Sequence, residues 1–456
     1  MKLNWFSPLP PAQTDIASYT ARLLPALAAR AEVTLWTDAS EWDAELEKYA
    51  EVRRYDPECL AWADLNRGDM CIYHVGNNAL FHGAIWQTSR RHPGVVVLHD
   101  TSLQHLFAGL FLQQLNDSAL YFSAMERYHG VTGRVEAEQV FNGLANDLDY
   151  LGKHYPLTSL GIADALGVVV HTEGGLSLLK RGGNGPPAAY IPLPFGDEHG
   201  RARRSESGGA SETGDARYRL IVFGHIGSNR GLESVFDALA SLPARNRFRL
   251  DVYGRIWNEN YLRAKIYACG IDQLVTLHGF VPDEDLNAAL AAAHLAINLR
   301  FPSMGEASGS QLRLWSWALP SLVTALDWYA TLPADAVAFV RPDHDVEDLQ
   351  KHLNAFLSDP ASFAQMGERG RQTLEKHHAP GKYVDDLLEV VAAAQRFRPR
   401  AALYQLAERA GECMSAWSDS VPGAEACARA AEFIDSLGFR SRLTAKGSAS
   451  RGKPLS

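Results

Sequence analysis

One loop of this sequence combines two arginines, a carboxylate and a Ser-Gly-Ser turn directly after the apolar run 295–299. Its chemically useful members are Arg300, Glu306, Ser308, Gly309, Ser310 and Arg313. The carboxylate can accept hydrogen bonds from sugar hydroxyls, while guanidinium groups and the amides of a helix N-terminus bind phosphate. An ordinary N-cap explains the serine alone, so we favour a functional site for a sugar joined to a phosphate.

A second loop is rich in glycine and ends in a cation. It follows the run 219–223 and contains Gly224, His225, Gly227 and Arg230. Such a loop exposes backbone amides and a helix N-terminus to an anion. It matches neither G-x-G-x-x-G nor the Walker A pattern, and an ordinary glycine turn explains it equally well.

The first half of the chain places ionisable residues at the ends of apolar runs. His99 and Asp100 follow the run 95–98, and His171 ends another run. A histidine in this position can orient a hydroxyl or accept a proton, with Asp100 fixing its tautomer if the two side chains meet; a structural histidine is the equally good alternative. The sequence contains no G-x-S-x-G, H-E-x-x-H or EF-hand pattern, so a hydrolase is not indicated.

Short apolar runs alternate with segments of helical periodicity throughout, which predicts an α/β protein with parallel sheets. The predicted strands span 2–6, 33–37, 70–73, 95–99, 168–171, 219–223, 249–253, 275–278, 295–299, 321–323 and 337–340. Ligands of such sheets bind at the carboxyl ends of the strands, where the three loops lie. We therefore predict two tandem Rossmann-like, doubly wound domains that face a cleft, with a helical C-terminal extension.

The predicted domain boundaries follow changes in composition. We expect a first domain at 1–196 with a helical insertion at 103–165, a flexible linker at 197–217, a second domain at 218–380, helices at 381–440 that partly return to the first domain, and a disordered basic tail at 441–456. We favour a solvated tail over one that contacts anionic lipid.

Length and charge exclude several classes of protein. The chain has 456 residues, too many for one small module, and its 46% hydrophobic content is that of a folded protein. The net charge of −9 argues against bulk electrostatic binding of nucleic acid. Five cysteines without a C-x-x-C pattern indicate reduced thiols, and no signal peptide or membrane span is predicted, so we expect a cytoplasmic protein.

Ten segments in order carry a resemblance to a known family. They include SPLPPAQTDIASY, YHVGNN, VVVLHDTSLQHL, VVVHTEGG, VFGHIGSNRGLE, LHGFVPDEDL and NLRFPSMGEASGSQLR. Over residues 3–395 the sequence resembles the GT-B fold, family-4 type retaining glycosyltransferases of the bacterial polysaccharide-assembly branch.

The resemblance implies a role for each candidate residue. The second domain would bind a nucleotide-sugar donor through the two loops described above, with His225 and Arg230 at the diphosphate and Glu306 at the sugar. Asp15 of the first domain would also contact the donor. A second glutamate of the family is replaced by Leu314, next to Arg313. The implied catalytic residues are His99, Asp100, Glu306 and Arg230, and the implied acceptor-binding residues are His74, Asn77 and His171.

The expected reaction moves a hexosyl group to a glycan or lipid-linked acceptor with retention of configuration, without a metal or another cofactor. Peripheral contact of the protein with the inner membrane surface is left open. Two alternatives stay open. The same fold could carry a sugar-nucleotide epimerase or a phosphorylase. Because Leu314 and His225 depart from the family pattern, a catalytically impaired nucleotide-sugar-binding subunit is the other alternative.

Overall fold

The computed structural model describes residues 1–144, 146–181, 185–196 and 217–416. Apart from Arg217, the predicted linker 197–217 lies outside the described residues, as do the predicted tail and the end of the C-terminal helices. Residues 1–395 form one compact unit, and the described residues 396–416 belong to a second one.

The first lobe, defined as the described residues up to 196, is built on a seven-stranded parallel sheet. Its strands are β1 (Lys2–Phe6), β2 (Glu32–Thr37), β3 (Glu51–Arg54), β4 (Met70–Val75), β5 (Val95–Leu98), β6 (Gly167–Val170) and β7 (Ala188–Tyr190). They run in the order β3-β2-β1-β4-β5-β6-β7. Every residue of β4, β5 and β6 is buried, as expected for strands covered on both faces.

The helices of the first lobe connect these strands. They are α1 (Asp15–Ala28), α2 (Trp62–Leu65), α3 (Ala79–Arg91), α4 (Gln104–Ala108), α5 (Ser118–Phe141), α6 (Leu148–His154), α7 (Thr158–Gly161) and α8 (Glu173–Lys180). Helices α4 to α7 lie between β5 and β6, and a π-helical segment, Gly109–Gln114, separates α4 from α5. Helix α5 is kinked at Gly130, whose φ of 69° is incompatible with a right-handed helix.

The second lobe, residues 217–377, is built on a six-stranded parallel sheet. Its strands are β8 (Tyr218–Phe223), β9 (Phe248–Tyr253), β10 (Val275–Gly279), β11 (Leu295–Asn298), β12 (Ser321–Thr324) and β13 (Ala338–Val340), in the order β10-β9-β8-β11-β12-β13. Its helices are α9 (Leu232–Ser241), α10 (Glu259–Ala268), α11 (Asp283–Ala292), α12 (Gly309–Ser316), α13 (Asp345–Ser358) and α14 (Pro360–His377). The predicted pair of parallel α/β sheets is therefore confirmed.

Two strands of the first sheet are absent from the sequence-based prediction. Strand β3 reads EVRR and is half exposed, and β7 has only three residues, none fully buried. Both lie at the edges of the sheet. Edge strands need no continuous apolar run, which is the signal on which the prediction relied.

Helix α15 (Pro380–Ala416) begins against the first lobe. The hydroxyl groups of Tyr19 in α1 and Tyr383 in α15 lie 2.7 Å apart and are buried. Arg30 also forms an ion pair with Asp385 at 2.5 Å. The first residues of α15 are therefore fixed to α1 by a buried hydrogen bond as well as by an exposed ion pair.

We expect Tyr383→Phe to lower the free energy of unfolding by about 1–3 kcal/mol, because it leaves the buried Tyr19 hydroxyl without its partner. The double variant Tyr19→Phe/Tyr383→Phe should recover part of this loss, since no unpaired hydroxyl remains. Urea unfolding of the two single variants and the double variant measures the coupling. Additive losses would show that the hydroxyl pair contributes nothing.

Candidate active site

Glu306 is held in place by its own loop, defined here as the sugar loop, residues 300–308. Its Oε2 accepts a hydrogen bond from the Met304 amide at 2.7 Å and one from the Ser303 hydroxyl at 3.3 Å. Its Oε1 lies 3.2 Å from Nε of Arg300, in a pair whose two side chains are only 17% and 16% exposed. The structure thus brings Arg300 and Glu306 together and fixes the direction of the carboxylate.

The sugar loop also contacts the first lobe. The Met304 carbonyl accepts hydrogen bonds from the backbone amides of Thr101 and Ser102, at 3.2 and 3.0 Å. Gly305 has a φ of 78°, and a Cβ there would lie 1.9 Å from Oγ1 of Thr101. Only glycine fits this contact, which places Glu306 at the junction of the two lobes.

Arg230 lies beneath the glycine-rich loop and is only 3% exposed. Its Nε donates to the His225 carbonyl at 3.1 Å, and its Nη1 donates to Oδ1 of Asn298 at 2.8 Å. Burial, followed by the charge of Arg300, lowers the pKa of Arg230 to about 10, so the guanidinium stays charged at neutral pH. Among the described residues Nη2 has no hydrogen-bond partner, so it is available to an anion.

The N-terminus of α12 lies beside this loop. Ser308 caps the helix by accepting a hydrogen bond from the Gln311 amide at 3.1 Å. A Cβ on Gly224 would lie 2.7 Å from Nη2 of Arg230 and 3.5 Å from the Ser310 hydroxyl. The guanidinium and the positive end of α12 therefore converge on one position, which suits a bound phosphate. The N-cap of α12 could be predicted from the sequence, whereas the convergence of Arg230 and the helix N-terminus depends on the fold.

Gly254, the residue after β9, supports the glycine-rich loop. Its φ is 126°, and a Cβ there would lie 1.8 Å from the Gly224 carbonyl oxygen. We expect Gly254→Ala to displace the loop and weaken binding of a nucleoside diphosphate about tenfold or more, because the added methyl group cannot be accommodated without a backbone shift. Calorimetric titration with UDP measures the change. The matched variant Gly174→Ala, at a glycine with open space around it, should bind like the parent.

Three other donor-site candidates have distinct environments. His225 is exposed at the loop surface, and partial burial together with the charges of Arg230 and Arg300 lowers its pKa, so it is neutral at pH 7. Asp15, at the start of α1, has an Oδ2 3.9 Å from a Cβ placed on Gly309. Gly227 is the N-cap of the short helical turn that contains Arg230.

Arg313 is bound to α11 and not to the sugar loop. Its guanidinium contacts Asp283 at 3.0 Å and Asn287 at 2.7 Å. The neighbouring Leu314 is 1% exposed and packs in a small apolar cluster with Ile221 and Leu290. Position 314 is thus a core position in this chain, which explains why it carries an apolar residue.

The candidate histidines of the first lobe form a buried cluster. Nδ1 of His74 lies 3.0 Å from Nε2 of His99, and Nδ1 of His171 lies 2.9 Å from the Ile191 carbonyl. His99 is half-buried and bonds to His74, and in the part of the chain that the structure describes no hydrogen bond joins its ring to Asp100. His74 is fully buried and His171 is 2% exposed, which keeps both from direct contact with an acceptor in this conformation.

Burial lowers the pKa values of three histidines, His82, His171 and His378, to about 4. In the unfolded chain these histidines bind protons near pH 6.5, whereas in the folded protein they do so only near pH 4. We therefore expect the free energy of unfolding to decrease as the pH falls from 6.5 toward 4. Each group contributes up to about 1.4 kcal/mol per pH unit in this window. Asp100, whose pKa is raised, acts in the opposite direction but is a single group. Urea unfolding between pH 7 and pH 5 tests this, and His82→Gln should make the slope shallower.

Asp100 lies where the first lobe meets the sugar loop. Its Oδ2 accepts a hydrogen bond from the backbone N–H of Asn77 at 2.8 Å. Burial, and then the nearby charge of Glu306, raise the pKa of Asp100 well above its ordinary value. A carboxyl group with such a pKa can hold or accept a proton near neutral pH, a property typical of reaction centres.

The sequence prediction missed the residues that hold Arg230 and α12. Nδ2 of Asn298 donates to Oε1 of Gln311 at 3.1 Å, and Nε2 of Gln311 donates to the Ser321 hydroxyl at 2.7 Å. Arg255 was also missed; it is exposed and donates to the side chain of Gln13 in the first lobe. The one available signal was Asn298 itself, a polar residue at the end of the apolar run of β11.

Neither a metal centre nor a membrane span is present among the described residues. No three His, Cys, Asp or Glu side chains in that part of the chain are grouped as ion ligands. Of its helices, none has both the length and the apolar character needed to cross a bilayer.

Comparison with known proteins identifies the fold and a family match. Residues 206–373 match the family described as Glycosyl transferases group 1. No curated protein sequence matches the chain.

Solved structures cover most of the chain at low identity. HepE of Anabaena, in complex with UDP-glucose, has a TM-score of 0.57 at 13% identity and covers 86% of this chain and 100% of its own. Sucrose-phosphate synthase of Thermosynechococcus elongatus has a TM-score of 0.57 at 15% identity, covering 88% and 100%. WaaG, a glycosyltransferase involved in lipopolysaccharide biosynthesis, has a TM-score of 0.53 at 17% identity, covering 84% and 99%.

These similarities establish the two-lobed fold over most of the chain, and the family match covers the second lobe, where Arg230 and Glu306 lie. The chain therefore has the GT-B fold, and its residues 206–373 match the family of group 1 glycosyl transferases.

Proposed function

We propose that the protein transfers a hexosyl group from a nucleotide-sugar donor to a glycan or lipid-linked acceptor with retention of anomeric configuration. The observation that carries the proposal is the position of Glu306: a fixed carboxylate directly before the N-terminus of α12, in a lobe that also places Arg230 at that N-terminus. A sugar at Glu306 would have its diphosphate within reach of the guanidinium and the helix amides.

The reaction then proceeds with these groups in separate roles. The bond between the anomeric carbon and the diphosphate oxygen breaks, and the oxygen of the acceptor hydroxyl bonds to that carbon on the same face. The negative charge on the leaving diphosphate is stabilised by Arg230 and by the amides at 308–310. Glu306 accepts hydrogen bonds from sugar hydroxyls and orients the ring. Asp100, on the opposite side of the junction, is available to take the proton of the acceptor hydroxyl. We assign no protein nucleophile, metal or other cofactor to this reaction.

The donor and acceptor classes are supported by similar proteins. HepE was solved with UDP and with UDP-glucose, and WaaG is involved in lipopolysaccharide biosynthesis. We therefore propose UDP-linked hexoses as the first donors to test and a cell-surface glycan precursor as the acceptor, reached at the cytoplasmic face of the membrane.

A thermal-shift panel of UDP, GDP, dTDP and ADP tests the donor site. A ligand at 100 times its Kd stabilises the folded state by about 2.7 kcal/mol, so one nucleotide should raise the melting temperature clearly above the others. Release of that nucleotide from its hexose conjugates then tests turnover. Binding without release in the presence of saccharide acceptors would instead support the impaired binding subunit, and the absence of any nucleotide effect would refute the proposal.

A further inference from the structure

A polar network on the helices between β5 and β6 has no assigned role. Nε2 of His105, in α4, lies 3.2 Å from Oδ1 of Asp149 in α6. Nδ1 of the same ring lies 3.2 Å from Nδ2 of Asn77, just before α3. The side chains of His105 and Asp149 are 39% and 36% exposed, so the network is open to a ligand.

The hydrogen-bond directions in this network are fixed by the backbone. The Leu106 amide donates to Oδ1 of Asn77 at 3.1 Å, so the Asn77 amide nitrogen must face His105. The imidazole then accepts at Nδ1 and donates from Nε2 to Asp149, which is the pattern of a neutral ring. The hydrogen bond from His105 lowers the pKa of Asp149 and keeps that carboxylate charged.

Two hydrogen-bonding positions of the network remain unused within the described residues. They are Oδ2 of Asp149, an acceptor, and the second N–H of the Asn77 amide, a donor. A sugar hydroxyl can donate a hydrogen bond to Oδ2 of Asp149. The same hydroxyl, or the next one on the ring, can accept a hydrogen bond from the side-chain amide of Asn77. A phosphate is a poor ligand here, because the carboxylate repels it.

The network lies next to the proposed reaction centre. Helix α6 carries Gly152 as well as Asp149, and a Cβ on Gly152 would be 3.2 Å from Sδ of Met304 in the sugar loop. The Gly152 carbonyl also accepts a hydrogen bond from the Ser102 hydroxyl at 2.9 Å. On the other side, the backbone N–H of Asn77 donates to Oδ2 of Asp100. The network is therefore attached to both the sugar loop and the proposed proton acceptor.

We propose that Asn77, His105 and Asp149 form a subsite that binds hydroxyl groups of the saccharide end of the acceptor. The inference rests on the proposed glycosyl transfer and adds the part of the acceptor that this surface recognises. The subsite binds a neutral sugar ring and leaves any phosphate of a lipid-linked acceptor outside.

The test uses a panel of fluorophore-tagged monosaccharides and disaccharides with the nucleotide sugar that the parent protein hydrolyses. For a saccharide that accelerates nucleotide release, we expect Asp149→Asn and His105→Gln each to raise the acceptor KM about tenfold to a hundredfold. In the absence of saccharide, any loss in the rate of donor hydrolysis should be at least tenfold smaller than the rise in acceptor KM. Asp343→Asn, which removes a carboxylate from an exposed turn of the second lobe, should match the parent.

Several outcomes would overturn the subsite. They are an unchanged acceptor KM in both variants, a fall in kcat alone, and an equal loss of transfer and hydrolysis. A parent that binds and hydrolyses the nucleotide sugar but neither binds nor uses any saccharide of the panel would also reject it, while the donor site stands. A parent that neither binds nor hydrolyses any nucleotide sugar rejects the proposed function itself.

Discussion

Glu306→Gln should lower the turnover of sugar transfer about tenfold to a thousandfold while affinity for the free nucleoside diphosphate stays close to that of the parent. The substitution keeps the size of the side chain and removes its charge, so hydrogen bonds to the sugar hydroxyls weaken at the point where the ring is distorted toward the transition state. The diphosphate contacts come from Arg230 and α12, which the change leaves in place.

The local contacts of Glu306 make one complication measurable. Its Oε2 accepts from the Met304 amide, and Met304 is the residue through which the sugar loop contacts the first lobe. Glutamine can still accept at one oxygen, so the loop should retain its position, and the melting temperature of the variant reports whether it does. Glu41→Gln, at an exposed position of the first lobe, is the matched control. Transfer at the parent rate by a folded Glu306→Gln variant would make this carboxylate an ordinary loop residue.

The interior strands were predictable from sequence because each is a short apolar run. The loops that form the site were predictable because parallel sheets bind ligands at the carboxyl ends of their strands. Glu306, Arg300 and Ser308 are close in sequence, so their proximity in the sugar loop follows from local chain geometry. The same holds for the N-cap of α12, where Ser308 precedes the helix directly.

The partners of other residues depend on contacts between distant segments, which periodicity does not encode. Arg313 forms its ion pair with Asp283 because α11 packs beside α12, and His99 bonds to His74 because β4 and β5 are neighbours in the sheet. The burial of Arg230, whose Nη1 donates to Oδ1 of Asn298 on β11, likewise depends on a contact between distant segments. Sequence spacing therefore locates the loops of a site, while the fold decides which way each side chain is directed.

The burial of Arg230 sharpens the expected result of Arg230→Ala. A charge-assisted hydrogen bond to a phosphate is typically worth about 1.5–3 kcal/mol, so affinity for UDP or the preferred nucleoside diphosphate should fall about tenfold to a hundredfold. The variant should also be less stable than the parent, because Oδ1 of Asn298 and the His225 carbonyl lose their donors. Calorimetric titration and thermal unfolding separate the two effects.

A double substitution distinguishes a phosphate contact from a purely structural role of Arg230. Asn298→Ala keeps the guanidinium but removes the acceptor of Nη1 and the donor to Gln311 in α12, so it should destabilise the fold and lower the nucleotide affinity less than Arg230→Ala does. If Arg230 binds phosphate through Nη2, Arg230→Ala/Asn298→Ala will bind the nucleotide about as weakly as Arg230→Ala alone. The double variant should lose no more free energy of unfolding than the two single variants lose together. Arg181→Ala, at an exposed position of the first lobe, controls for the loss of one positive charge. Equal loss of affinity in Asn298→Ala and Arg230→Ala would instead mean that the guanidinium only supports the loop.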